Sequence, residues 1–124
     1  MSGIDDLGLG VDVQEIAAFE DHADPTDLRF YERVFTAAER DWCAERPHPA
    51  QHLAVRFAAK EAVVKALSGH AELGLEEVEV VRDDAGRPSA RLLCEAPERF
   101  AVKISLSHSD TQAVAVAIAE KRTT

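Results

Sequence analysis

The sequence predicts an α+β fold in which helices pack on a mainly antiparallel sheet. Hydrophobic residues recur at helical spacing through most of the first half of the chain, and they alternate with polar residues through much of the second half. Helices followed by a run of strands, rather than alternating with them, are typical of this class. The chain has 124 residues, the size of one domain, so we assign residues 1–124 to a single domain.

The residues before the longest helix are predicted to form one strand and several short helices. LGLGVDV (7–13) has the partial alternation and β-branched content of a strand. EIAAFEDH (15–22) and LRFYERVF (28–35) have helical patterns, separated by a proline-containing break. Thr36 and Glu39 fit a capping box, in which both side chains accept hydrogen bonds from free backbone donors. A further helix is therefore predicted to begin after Thr36.

The longest predicted helix begins at Pro49 and continues through Ala66. Proline is favoured at the first helical position because its missing N–H needs no partner there. Gly69 is expected to end the helix in the left-handed conformation. The segment RFAAKEAVVKAL (56–67) is apolar around almost the whole helix circumference, and this pattern predicts that the helix is buried.

Four further strands are predicted in the second half of the chain. VEVV (78–81) and SARLL (89–93) flank a turn in which Gly86 bends the chain. VKISLSHS (102–109) and AVAVAIAE (113–120) flank a short polar turn. These two hairpins supply most of the antiparallel sheet.

Composition narrows the range of functions. The formal net charge of −9 repels a polyanion, so nucleic acid is not expected as a partner. No apolar run reaches the roughly 20 residues of a membrane helix, and the first residues lack the features of a signal peptide, so we expect a cytoplasmic protein without a membrane partner. Cys43 and Cys94 are expected to be reduced packing residues.

Four charged side chains interrupt the long apolar helix: Arg56, Lys60, Glu61 and Lys65. One interpretation is structural: Glu61 and Lys65 form a salt bridge with each other, and the basic pair extends to solvent. A surface pair contributes only about 0.3–0.5 kcal/mol, however, which is a weak reason to interrupt an apolar surface. The other is a cleft that holds a divalent cation and phosphate groups. Mg²⁺ commonly takes one or two carboxylates together with phosphates and waters. Asp12 is the candidate second carboxylate, and its alternative role is to cap the helix that follows it.

His108 has two possible roles. Alternation in ISLSHS places it on the same strand face as Ile104 and Leu106. A histidine at a strand end can simply form a local hydrogen bond, or it can contact a phosphate. The spacing alone favours the local bond.

Four separated motifs resemble the holo-acyl-carrier-protein synthase family of 4′-phosphopantetheinyl transferases. They are GLGVDVQEI, FTAAERDWC, RFAAKEAVVKAL and ISLSHSDTQAVAVAIAE, and the similarity runs from about Leu7 to Ala119. The resemblance implies that family's fold and its reaction. In that reaction the phosphopantetheine arm of coenzyme A is transferred to a serine of an apo acyl carrier protein or carrier domain, and adenosine 3′,5′-bisphosphate is released.

The resemblance also implies roles for individual residues. Asp12 and Glu61 match the positions of the Mg²⁺ ligands, and Lys65 matches a lysine beside the pyrophosphate. Glu61 and Lys65 are therefore the expected catalytic residues. Contacts with coenzyme A are expected from Arg56, Lys60, Lys65 and His108. Short members of the family form homotrimers with active sites at subunit interfaces, so a homotrimer is expected here.

The chain departs from the family at the surface that receives the carrier protein. Family members often carry an arginine six residues after the metal-binding aspartate, and Ala18 occupies that position here. Arg29 and Arg33 could provide a displaced basic patch for an acidic carrier. Two other functions remain open from the residues themselves: a non-catalytic oligomeric binding module, and another Mg²⁺-dependent nucleotide enzyme.

Overall fold

The computed structural model describes residues 3–20 and 25–122 and confirms the α+β class. The helices and strands are β1 (Leu7–Glu15), α1 (Pro25–Val34), α2 (Ala37–Ala44), α3 (Pro49–Leu67), β2 (Val78–Arg82), β3 (Pro88–Leu92), β4 (Phe100–His108) and β5 (Gln112–Lys121). Short 3-10 helices cover Ile4–Asp6, Ile16–Phe19, Leu75–Glu77 and Pro97–Arg99. All five predicted strands are present, and α3 begins at Pro49 as predicted.

The strands form two antiparallel sheets. A three-stranded sheet has the order β1-β5-β4, and β2 and β3 form a separate hairpin. The first strand of the chain therefore pairs with the last one, which the sequence pattern did not indicate. The register pairs Asp12 with Ala115 and His108 with Ala113, so β5 separates these two polar residues.

Helix α3 packs closely against β1 and β5 because these two strands present small residues on the inner face of the three-stranded sheet. The inner residues of β5 are alanines 113, 115, 117 and 119, all fully buried. On β1, a Cβ atom added at Gly8 would lie 1.7 Å from the carbonyl oxygen of Ala66, and one added at Gly10 would lie 1.8 Å from that of Ala62. Only glycine fits at these two positions, and their contacts show that β1 and α3 run antiparallel.

Two details of the first half differ from prediction. The predicted helix over 15–22 is a 3-10 helix over Ile16–Phe19, and residues 21–24 lie outside the described part of the chain. Helix α3 does not end at a left-handed glycine. Gly69 does not have a positive φ, and Gly86 is the only one of the described residues that does. Ser68 ends the helix in right-handed conformation instead, and its hydroxyl donates to the carbonyl of Lys65 at 2.8 Å. The capping box of Thr36 and Glu39 is confirmed.

The outer face of the three-stranded sheet is apolar and exposed. Its large side chains are Leu7, Leu9, Val11, Val13, Val116 and Ile118. Leu9, at 68% exposure, is the most open of the six. We call this set the outer apolar face. Within residues 3–20 and 25–122, no helix combines the length and hydropathy needed to span a membrane.

Candidate functional site

The first part of the site lies where β1 meets α3. Asp12 follows Gly8 and Gly10 on the inner face of β1, and its side chain is only 12% exposed. The Nζ atom of Lys65 lies 3.1 Å from Asp12 Oδ1 and donates to the carbonyl of Val11 at 3.0 Å. The structure thus joins two predicted site residues that are far apart in the sequence.

Glu61 is half-buried and lies one helical turn before Lys65, on the same side of α3. Two residues of a strand span about 6.6 Å and four residues of a helix about 6 Å. Gly8 faces Ala66 and Gly10 faces Ala62, so two residues along β1 correspond to four residues back along α3. The same step places the backbone of Asp12 near the level of residue 58. Along the axis of α3, the backbone of Glu61 therefore lies between the backbone of Lys65 and the level of Asp12.

The chemistry of this pair fits a hard divalent cation. Two carboxylates supply oxygen ligands, and in the described part of the chain no group of three or more His, Cys, Asp or Glu residues could hold a metal by itself. A cation here would complete its coordination with substrate phosphates and water. Magnesium is commonly held in this way.

The second part of the site is a basic pocket of about 180 Å³ beside the first half of α3. Its lining residues are His52, Val55, Arg56, Arg82, Pro88, Leu106, Ser107 and His108. Arg56 is only 3% exposed, and its Nε atom has no hydrogen-bond partner among the described residues. A buried guanidinium with an unused donor is costly unless an anion binds it. The pocket is therefore suited to a phosphate group.

Three arginines surround one aromatic ring at the edge of this pocket. The guanidinium carbons of Arg46, Arg56 and Arg82 lie 3.8, 4.0 and 5.2 Å from the centre of the Trp42 ring. We call these three residues the arginine cluster. Contact with the face of the Trp42 ring stabilises each guanidinium cation, but the three positive charges still repel one another.

Burial and like charge act on the titratable groups of the cluster. Burial is the largest cause that lowers the pKa of Arg56, and Arg82 and Arg46 lower it further. Burial also lowers the pKa of His52, whose ring centre lies 5.1 Å from that of Trp42, and the arginine cluster acts in the same direction. An anion in the pocket would relieve both effects.

His108 is exposed at the mouth of the pocket. Its Nε2 atom lies 3.1 Å from Nε2 of Gln51, and its Nδ1 atom lies 3.2 Å from the carbonyl oxygen of Ser109. If the Gln51 amide nitrogen donates to Nε2, the ring proton is on Nδ1 and points to Ser109. The local hydrogen bond expected from the sequence is therefore present, in a residue that also lines the pocket.

Comparison with known proteins decides the family. The family model described as the 4′-phosphopantetheinyl transferase superfamily matches residues 8–119. The chain belongs to this superfamily. The resemblance found in the sequence motifs is thereby confirmed, together with the enzyme class that it implies. A holo-[acyl-carrier-protein] synthase of Geobacter metallireducens is 41% identical over 123 residues, covering 93% of this chain and 98% of that protein.

Solved transferase structures share the fold of this superfamily member. The Chronobacterium ammoniagenes ACPS-CoA complex superposes with a TM-score of 0.77 at 28% identity, covering 94% of this chain and 98% of that one. A Bacillus anthracis holo-(acyl-carrier-protein) synthase in complex with CoA (3′,5′-ADP) gives a TM-score of 0.74 at 30% identity, with coverages of 93% and 96%.

Within this transferase the expectation for Lys60 needs correction. Its side chain is completely buried, and its Nζ atom forms an ion pair with Glu39 Oε1 at 2.7 Å. Nζ also donates to the carbonyl oxygens of Leu75 and Val78. A lysine has three N–H donors, so all of them are used inside the core. Lys60 consequently has neither the exposure nor a free donor to bind coenzyme A.

Sequence reasoning missed several residues of the transferase site. Arg82, Arg46 and Trp42 contribute to the basic pocket or its edge, and Gln51 contacts His108. The signal for Trp42 was present, because a large aromatic stands within one of the motifs that carry the resemblance. Arg82 is the last residue of β2, which packs against α3, and the sequence alone does not reveal that contact.

Proposed function

We propose that this chain transfers the 4′-phosphopantetheine arm of coenzyme A to a serine of an apo acyl carrier protein in a Mg²⁺-dependent reaction. Adenosine 3′,5′-bisphosphate is the second product. One observation carries the proposal: Lys65 of α3, one helical turn after Glu61, pairs with Asp12 on β1, and the same helix presents Arg56 to a phosphate-sized pocket. The names of the similar proteins, holo-acyl-carrier-protein synthases and complexes with coenzyme A, agree with this reaction.

Asp12 and Glu61 would hold the Mg²⁺ ion through their carboxylate oxygens. Bound there, the ion would supply charge neutralisation to the pyrophosphate of coenzyme A. The protein contributes mainly positioning and electrostatic stabilisation to such a reaction.

Lys65 is suited to stabilise the leaving group. Its side chain is half exposed, so its ammonium can exchange the contact with Asp12 for a contact with a phosphate at small energetic cost. The serine hydroxyl attacks the β-phosphorus, and the bond from that phosphorus to the bridging oxygen breaks. Negative charge then develops on the departing α-phosphate, where a lysine stabilises it. Glu61, directly or through a water molecule, accepts the serine proton.

The basic pocket would bind another phosphate of coenzyme A. Arg56 offers its unused Nε donor, and Arg82 and His108 line the same cavity. A guanidinium binds a phosphate through parallel N–H donors, which fixes its orientation as well as its position.

In one copy of the chain the two parts of the site lie on opposite sides of α3. Arg56 and Lys65 are nine residues apart, which places them about 180° apart around α3. The outer apolar face gives a second copy a surface to cover. A cavity of about 300 Å³ on that side of the sheet is lined by Val13 and Val114 and also by His108. We therefore propose a homotrimer in which the acidic part of one copy meets the basic pocket of the next.

The proposed docking surface for the carrier protein is the exposed side of α1. Arg29 and Arg33 are both exposed there, one helical turn apart. Reversing both charges is expected to raise the KM for an acidic carrier and to leave coenzyme A binding unchanged. An unchanged KM for the carrier would reject this surface.

Incubation with coenzyme A, Mg²⁺ and an apo acyl carrier protein tests the reaction directly. Mass spectrometry is expected to show addition of the phosphopantetheine arm to the carrier, and omission of Mg²⁺ should abolish it. Asp12→Ala and Glu61→Gln should reduce transfer by orders of magnitude while remaining folded, and the exposed Glu120→Gln serves as the control. If the two site variants unfold or dissociate instead, the acidic pair is structural. Turnover of coenzyme A without a carrier would indicate a different nucleotide enzyme.

Analytical ultracentrifugation tests the proposed assembly. The wild-type chain is expected to sediment with the mass of three copies. Val11→Asp places a charge in the outer apolar face and should yield a folded monomer without transfer activity. A wild-type monomer with full activity would reject both the trimer and the shared site.

A further inference from the structure

Gln14 is an unexpected polar residue on the inner face of the three-stranded sheet. The described inner positions of β1 and β5 are otherwise glycine or alanine, apart from Asp12 and from Lys121 at the end of β5. Gln14 is half-buried, and the residue paired with it on β5 is Ala113. Packing does not require an amide at this position, because the neighbouring inner residues of β1 and β5 are small.

The amide of Gln14 is directed at Asp12. Its Nε2 atom donates to Asp12 Oδ2 at 2.7 Å, while Lys65 Nζ donates to Asp12 Oδ1 at 3.1 Å. An ionised carboxylate only accepts hydrogen bonds, so the nitrogen of the amide, and not its oxygen, must face Asp12. Each carboxylate oxygen thus accepts from a different donor. Oδ2 accepts from Gln14, two residues further along β1, and Oδ1 accepts from Lys65 on α3.

The two donors leave room for a cation. A carboxylate has about four lone-pair positions, of which two are used here. If Lys65 moves to a phosphate, Asp12 Oδ1 loses its partner, whereas Gln14 has no reason to leave Oδ2. Rotation of an aspartate carboxylate about its last torsion is broad, so a fixed donor is needed to hold one orientation.

We propose that Gln14 is a positioning residue for Mg²⁺ binding: its amide holds the Asp12 carboxylate in the orientation that receives the ion. This inference rests on the proposed metal pair of Asp12 and Glu61 and adds a residue that does not touch the ion. Hydrogen-bond partners behind a metal ligand commonly change metal affinity or activity by about 10- to 100-fold when removed.

A second glutamine on the same pair of strands provides a matched control. Gln112 Nε2 donates to Glu15 Oε1 at 2.9 Å, and both of these side chains are exposed. The chemistry of this bond, amide to carboxylate, is the same as that between Gln14 and Asp12. Because Glu15 is not part of the proposed metal pair, loss of the Gln112 bond should not affect the ion.

The test measures metal binding without turnover. Gln14→Met keeps the length of the side chain and removes the donor, and Gln14→Ser shortens it so that it cannot reach Oδ2. Mg²⁺ is titrated by calorimetry into each protein with saturating coenzyme A and no carrier, and Mn²⁺ binding is followed by electron paramagnetic resonance. Both variants are expected to bind either ion about tenfold more weakly than wild type, with unchanged melting temperature, and Gln112→Met should bind like wild type.

Kinetics provide an independent readout. The Mg²⁺ concentration for half-maximal transfer should rise in the Gln14 variants by the same factor as the binding constant, while the KM for coenzyme A at saturating Mg²⁺ stays constant. Wild-type metal affinity in both Gln14 variants would overturn the inference and leave the proposed function intact. If the wild-type protein itself binds neither ion, the metal pair is rejected, and the role of Gln14 with it.

Discussion

Replacement of Lys60 by methionine separates a structural lysine from a catalytic one. Both side chains of the Lys60–Glu39 ion pair are inaccessible to solvent. Glu39 also accepts hydrogen bonds from the backbone N–H groups of Val80 at 2.7 Å and Thr36 at 2.9 Å. The pair therefore joins α2, α3 and β2. Methionine has nearly the length of lysine but no charge, so the substitution leaves the Glu39 carboxylate buried and unpaired.

The expected loss of stability is large. Removing one partner of a buried ion pair typically costs about 3–5 kcal/mol, because the other charge stays in a medium of low polarity. The total stability of a domain is about 5–15 kcal/mol, so a substantial fraction is lost. For a chain of this size the melting temperature should fall by about 10–20 °C. Adding Glu39→Gln to Lys60→Met should recover part of this loss, because no unpaired charge is then buried.

Lys65→Met is the matched control, since it makes the same change on the same helix. The Lys65 ammonium is half exposed and the Asp12 carboxylate keeps its hydrogen bond from Gln14, so the loss of stability should be about 1 kcal/mol, well below that of Lys60→Met. Transfer, by contrast, should fall by orders of magnitude. Urea unfolding, coenzyme A calorimetry and initial rates would be measured for each variant. If Lys60→Met kept wild-type stability but bound coenzyme A poorly, the core assignment of Lys60 would be wrong.

Three further predictions concern other parts of the molecule. In Gly10→Ala, the added Cβ atom would lie 1.8 Å from the Ala62 carbonyl oxygen, and an ordinary contact needs at least 3.4 Å, so β1 has to move away from α3 by about 1.6 Å. Urea unfolding should show that the free energy of unfolding falls by about 1–3 kcal/mol. Transfer rates should fall by about a hundredfold. The pKa of His52, which burial and the arginine cluster hold below the ordinary 6.5, should rise when adenosine 3′,5′-bisphosphate binds, as measured by NMR titration. Without ligand, His52 becomes protonated near pH 6.5 in the unfolded chain and at a lower pH in the folded chain. The contribution of His52 to stability should therefore decline as the pH falls through about 6.5. Burial raises the pKa of Cys43 to about 11, so a disulfide reagent at pH 8 should modify the partly exposed Cys94 first and Cys43 only after denaturation; equal rates would contradict this.

Periodicity predicted the elements of this fold well because each pattern is local. The burial of α3 followed from its apolar circumference, and the capping box at Thr36 followed from two residues three positions apart. Both free cysteines and their packing role were also expected, although only Cys43 is fully buried. These features depend on neighbours within about one or two helical turns.

Roles that depend on distant partners were less accessible. Lys60 and Lys65 have the same chemistry on the same helix, and nothing local distinguishes the buried one from the exposed one. The difference lies in what each meets: Glu39 and two carbonyl groups for Lys60, and Asp12 on β1 for Lys65. Pairing of the first strand with the last decides the second contact. The arginine cluster likewise assembles from the turn after α2, from α3 and from the end of β2, and no sequence spacing relates these segments.

The two glycines of β1 also restrict how this strand can change length. Consecutive residues of a strand point to opposite sides, so insertion or deletion of one residue between Gly8 and Asp12 would exchange the sides of everything beyond it. A leucine or valine would then be forced into the backbone of α3, and the aspartate would turn towards the outer apolar face. Exchanges of one apolar residue for another on the outer side of β1 should therefore be far better tolerated in a mutant library than any single-codon insertion or deletion in this segment.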